Sequence, residues 1–183
     1  MFGTRWRLLR LLGIPISLDA SWLIILALLT LSLARAFPAI LQEYFPGGGT
    51  TLAPYAFWIM GLVTALAFFA CIVLHELGHA VVARSRGMPI RGITLFLFGG
   101  VAELGDEPVS AGAEFLMAIA GPVVSAVLAV GFWFLAVAGY HGGWPPPVVA
   151  VLGYLAAING LVLAFNLVPA FPLDGGRVLR SIL

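Results

Sequence analysis

His75-Glu-Leu-Gly-His79 sets two imidazoles four residues apart, with a carboxylate directly after the first. On a helix that spacing puts both rings on one face, about 6 Å apart along the axis, where they can grip one ion together. Zinc suits such a pair, because a catalytic zinc takes three protein ligands and keeps a further position open for water or substrate. Glu76 then faces the open position as a general base. The competing reading of these residues is a polar cluster that hydrogen-bonds neighbouring helices.

A third ligand is needed, and the segment Asn166-Leu-Val-Pro-Ala-Phe-Pro-Leu-Asp-Gly-Gly-Arg177 offers one. Asp174 is the one carboxylate in the second half of the last apolar stretch. Pro169 and Pro172 unwind or kink a helix, so its side chain can turn inward. Gly175-Gly176 permits close backbone approach beside it. Asp174 as a helix cap, or as the partner of Arg177, stays open at this point.

The elements that carry these residues belong in a bilayer. Of 183 residues 62% are hydrophobic and 9% charged, with a mean hydropathy of +1.10, which no ordinary soluble domain reaches. About 20 apolar residues cross a hydrocarbon core. The uncharged stretches give four spans: Leu18 to Ala36, Pro54 to Arg86, Ser110 to about Tyr140, and from Pro147 onward, the last two parted by Gly139-Tyr-His-Gly-Gly-Trp-Pro-Pro-Pro147. Ser110 is placed to cap the third span, with Glu114 in its first turn. Between spans two and three, Ile90 to Phe98, then Gly99-Gly100, then Val101 to Leu104 predict a short hairpin. The expected fold is therefore all-α and polytopic, with about four transmembrane helices and a small membrane-associated β-hairpin between helices two and three. Cys71 lies inside span two as a small buried residue, so no disulfide framework is expected. Asn159, seven residues before Asn166, is expected to make a structural bond between helices.

There is no lysine. Arginines cluster at 5, 7 and 10, at 84, 86 and 91, and at 177 and 180, which four crossings bring to one side, with Arg35 on the other. The positive-inside rule makes the clustered side cytoplasmic, so the N-terminus and the histidines face the cytoplasm, with the plasma membrane the expected location. Such scattered arginines form no basic stripe and exclude nucleic-acid binding.

His75-Glu-Leu-Gly-His79, Asn166 with Pro169 and Leu173-Asp174-Gly175, Phe98-Gly-Gly-Val101, Ile119-Ala-Gly-Pro122 and the Gly13-Ile-Pro15 lead into span one together resemble the site-2 protease family. These are the intramembrane zinc metalloproteases of peptidase family M50. The resemblance covers nearly the whole chain and is closer to the compact branch, since the connection before span four leaves no room for a PDZ insert. It implies one zinc on His75, His79 and Asp174, Glu76 as base, and Asn166 as an amide donor to the substrate carbonyl and its oxyanion. It also implies transmembrane proteins as substrates, held extended along the hairpin around Phe98 by strand addition. Asp19 stands where relatives vary, and is read as an interfacial residue. Residues 1–183 are expected to form one transmembrane metalloprotease domain of a longer protein, since Arg177 to Leu183 reads as a helix still under way; two further helices and cystathionine-β-synthase-type domains are what relatives add. The alternatives in other classes are an inactive membrane scaffold and a metal-ion transporter. Against them, all three ligands and Glu76 are intact, and the donors are concentrated in one set rather than repeated along a path.

Overall fold

A computed structural model describes residues 5–47, 52–96, 99–104 and 110–183. In chain order the elements are β1 (Arg5–Leu11), β2 (Ile14–Asp19), α1 (Trp22–Tyr44), α2 (Pro54–Ser85), β3 (Ile90–Phe96), β4 (Gly99–Leu104), α3 (Ala111–His141), α4 (Pro146–Asn166) and α5 (Asp174–Ile182). Helices α1 to α4 are each long and apolar enough to cross a membrane. Their outer faces carry exposed side chains such as Leu28, Leu66, Val127 and Phe134, which in a bilayer meet lipid. The chain is a multi-pass membrane protein.

Local sequence explains where the helices start and stop. Proline at the first position of α2, residue 54, has no N–H to leave unsatisfied. Its 32 residues span about 48 Å, well beyond the roughly 30 Å hydrocarbon core. It closes at Arg86, followed by Gly87 at φ +80°. Ser110 caps α3 as expected, its Oγ accepting from the N–H of Ala113 at 3.2 Å.

The expected hairpin is present as β3 and β4, antiparallel with Thr94 opposite Val101, and β4 begins at Gly99. Residues 97 and 98, including Phe98, lie outside the described residues, as do Asp106 and Pro108.

Two features depart from the sequence reading. Residues 5–19 are no mere lead into span one; they form the antiparallel hairpin β1–β2, and span one starts at Trp22 and runs to Tyr44. Ile14, Ile16 and Leu18 are buried at alternate positions, the period of a strand rather than a helix. β2 pairs in parallel with β3, Ile16 opposite Ile93, so one sheet of order β1-β2-β3-β4 forms. Arg35 sits within α1, as it does within the expected span. The second departure is at the other end: α4 stops at Asn166, and Asp174 opens the separate helix α5 after a turn through Pro169 and Pro172.

Packing ties these pieces to α2. Leu33, Phe37 and Leu41 of α1 join Met60 and Ala65 of α2 and Ala150 of α4 in one apolar cluster. Ile14 and Ile93 pack with Ala80, fixing the sheet beside the histidine-bearing part of α2.

Candidate metal centre

His75 and His79 lie one turn apart on α2, as their spacing requires, and Asp174 reaches them from the first position of α5. His75 Nε2 stands 3.1 Å from His79 Nε2, and Asp174 Oδ2 lies 3.1 Å from the first and 3.2 Å from the second. Asp174 thus faces the imidazoles, which decides against its being a simple cap: α5 has Leu173 before it and no side-chain cap bond.

The far nitrogens of the two rings are engaged by α3. His79 Nδ1 bonds the carbonyl of Met117 at 2.7 Å, and a carbonyl only accepts, so Nδ1 carries the hydrogen and Nε2 presents a lone pair. His75 Nδ1 pairs with Ser125 Oγ at 2.8 Å, fixing that ring in the same way when the hydroxyl accepts. Three acceptor atoms then converge, an arrangement that a cation among them would stabilise. Ligands about 2.0–2.1 Å from a tetrahedral zinc are about 3.3 Å apart, close to the separations seen. The donor set fits a divalent metal, and zinc in particular.

Space for that ion depends on α3 as well. Gly78 abuts Ala120 and Val124 of α3, bringing that helix against α2, and a Cβ added at Gly121 would collide with Nε2 of both histidines. Gly121 is the site residue that sequence reasoning missed. The Ile119-Ala-Gly-Pro122 segment enters the sequence reading only through the family resemblance; that Gly121 lies over the rings depends on how α3 crosses α2.

Beside the three donors lies a cavity of about 420 Å³, lined by His75, Glu76, Ser125, Asn159, Phe165 and Asn166 among others. Glu76 and Asn166 therefore share one cleft, and Leu29 of α1 closes its other wall. Asn159 is 1% exposed and donates to the carbonyl of Leu155, one turn back on α4, at 2.8 Å, a bond within its own helix where one between helices was expected. Asp19 is buried at the start of α1, accepting from Ser21 N at 2.9 Å, and it is not part of the metal-ready group.

Together, the spans and this cluster define a class: a multi-pass membrane protein whose helices bring two histidines and one carboxylate together in a group that could hold a metal ion. Comparison with known proteins narrows the class. The sequence profile of peptidase family M50 matches residues 63–142 and 144–183. The sll0528 protein of Synechocystis sp., named as a zinc metalloprotease, is 47% identical over 176 residues, covering 94% of this chain and 42% of that protein. Rip3 of Mycobacterium tuberculosis, named likewise, is 38% identical over 174 residues, covering 95% of this chain and 42% of its own length. Among solved structures, the site-2 protease from Methanocaldococcus jannaschii superposes with a TM-score of 0.61 at 30% identity, covering 98% of this chain and 71% of that one. The chain belongs to peptidase family M50 and has the site-2 protease fold. It spans about two fifths of the length of the two curated relatives.

Proposed function

We propose that residues 1–183 are the catalytic domain of an intramembrane zinc endopeptidase, which cuts peptide bonds in or near transmembrane segments of other membrane proteins. The observation that carries this reading is the convergence of His75 Nε2, His79 Nε2 and Asp174 Oδ2, 3.1 to 3.2 Å apart, at a cleft shared by Glu76 and Asn166. His75, His79 and Asp174 would hold one zinc ion per chain, which when bound would supply a Lewis acid for the peptide carbonyl and for water. Glu76, in the adjoining cleft, would take a proton from water and pass it to the leaving amine. Asn166, lining the same cleft, would offer its amide N–H to the carbonyl oxygen, where negative charge develops.

A helical substrate hides its peptide bonds and has to unwind locally. Among the described residues β4 is one of the two outer strands of the sheet, and it packs along α2, so its outer edge can take the extended segment by strand addition. The arginines in β1, at the end of α2 and in α5 support, by the positive-inside rule, an orientation with the N-terminus and the three donors toward the cytoplasmic face of the plasma membrane.

Elemental analysis of detergent-purified protein tests the reading without knowledge of a substrate. Near one zinc per chain, lost in both His75→Ala and Asp174→Ala, supports it. A folded wild-type protein that takes up no zinc overturns it.

A further inference from the structure

We propose that Arg180 is a positioning residue for the metal centre, holding α5 through Glu114 of α3 so that Asp174 stays against His75 and His79. The inference rests on reading those three residues as metal ligands. Asp174 begins a helix of nine residues that follows α4 only after the irregular segment 167–173. The transmembrane helix before it therefore does not fix the third ligand, and tertiary contacts must.

Two contacts do so. At the near end, a Cβ at Gly175 would meet the carbonyls of Leu167 and Val168, and one at Gly176 would lie 2.8 Å from the carbonyl of Ala170, so the first turn of α5 rests on the backbone it has just left. At the far end, Arg180 Nε donates to Glu114 Oε1 at 2.8 Å and Nη2 bonds the same oxygen. The guanidinium also lies over the ring of Phe171, 5.9 Å from its centroid. One side chain thus links α5 to the segment preceding Asp174 and to the first turn of α3. That same α3 carries Met117 and Ser125, which hold the two imidazoles.

The arrangement is unlike an ordinary core contact. The Arg180 side chain is 54% exposed while that of Glu114 is 10% exposed, so truncating the arginine opens no cavity among the spans but leaves a buried carboxylate without this partner. Metal–ligand distances tolerate only about 0.2 Å, so a slight shift of α5 is enough to weaken the third bond.

The test measures zinc affinity by chelator competition, and the visible spectrum of the cobalt(II) form, for full-chain protein in detergent. Arg180→Ala and Glu114→Gln are expected to bind zinc about 10- to 100-fold more weakly than wild type, the usual loss when a group supporting a ligand is removed. Their cobalt spectra are expected to move toward that of Asp174→Ala, and Arg180→Lys to recover part of the affinity. Arg180→Ala with wild-type affinity and spectrum overturns the positioning role, whatever its melting temperature does. Where the alanine variant fails to fold, Arg180→Lys decides: severalfold weaker zinc binding supports the role and unchanged binding sinks it. Absence of zinc binding by wild type, or undiminished binding by Asp174→Ala, overturns instead the ligand assignment beneath it.

Discussion

The two halves of the metal centre are built in opposite ways. His75 and His79 stand on one unbroken helix of 32 residues, their separation set by helical geometry and each ring held by a bond to α3. Asp174 and Asn166 stand on either side of a break: one ends α4, the other begins α5, and the segment 167–173 between them is irregular. The α2 half is preorganised by its own secondary structure, whereas the α4–α5 half is positioned by the turn of backbone just before it and by contacts distant in sequence. Both halves border the same cleft, His75 and Glu76 from α2 and Asn166 from α4.

The largest effect that would sharpen this contrast comes from filling the space beside the rigid half. Gly121→Leu is expected to abolish zinc binding outright, because its side chain would occupy the position facing both Nε2 atoms. Gly131→Leu, ten residues on, where an added Cβ meets nothing within 4 Å, is expected to leave zinc content unchanged. Elemental analysis of the two purified variants compares them directly, and equal zinc in both would mean that α3 does not lie over the site. Next in size is Glu76→Gln, which keeps helix and ligands and removes the base. Zinc content is expected to stay at the wild-type level, while cleavage of a transmembrane substrate falls by about 10²- to 10⁴-fold. Zinc loss in this variant would make Glu76 part of the metal shell and break the assignment of roles within α2.

On the other half, Gly175→Ala is expected to weaken zinc binding by about tenfold or more, since its Cβ would press on the carbonyls of Leu167 and Val168 and push Asp174 away. Gly153→Ala within α4, with nothing within 4 Å of the added Cβ, serves as the control and is expected to leave affinity unaltered. Chelator competition on both variants reads the difference. Equal affinities would show that the α5 ligand adapts to its backbone and is not held by it.

The same division governs what could be read from sequence. His75, Glu76 and His79 were legible because four residues on a helix is a fixed geometry, and the four spans because apolar length has a physical minimum. Asp174 was legible as a candidate, yet its alternatives closed only when the fold brought α5 beneath the histidines. The hairpin β1–β2 went unread because Arg5-Trp-Arg-Leu-Leu-Arg10 has a register shift between Arg7 and Leu9, which breaks the alternation a strand would display. The parallel pairing of β2 with β3 joins residues more than 70 positions apart. Local pattern carries no trace of that. Glu114 was read as a favourable charge at the start of a helix, and its partner Arg180, 66 residues away, is equally invisible to spacing.

The smallest expected effect lies inside the rigid half, in the unequal support of its two rings. His79 Nδ1 leans on a backbone carbonyl, which no substitution at residue 117 removes, while His75 Nδ1 leans on the Ser125 hydroxyl, which one substitution deletes. In Ser125→Ala the His75 N–H is left buried without that acceptor, and the ring gains freedom to rotate. Such a loss is worth about 1–3 kcal/mol where nothing replaces the bond. The cavity beside His75 is roomy and partly polar, so a water can take over some of it. The expected outcome is therefore a loss of zinc affinity of about tenfold, below that for Gly175→Ala, with faster metal release and little change in folding. Met117→Ala, which keeps the carbonyl, is expected to leave zinc affinity closer to wild type even though it removes a buried side chain and lowers thermal stability. Zinc off-rates and melting curves for the pair separate the two effects. If Met117→Ala proved the more damaging to metal binding, the packing of α3, and not its hydrogen bonds, would be what keeps the α2 histidines rigid.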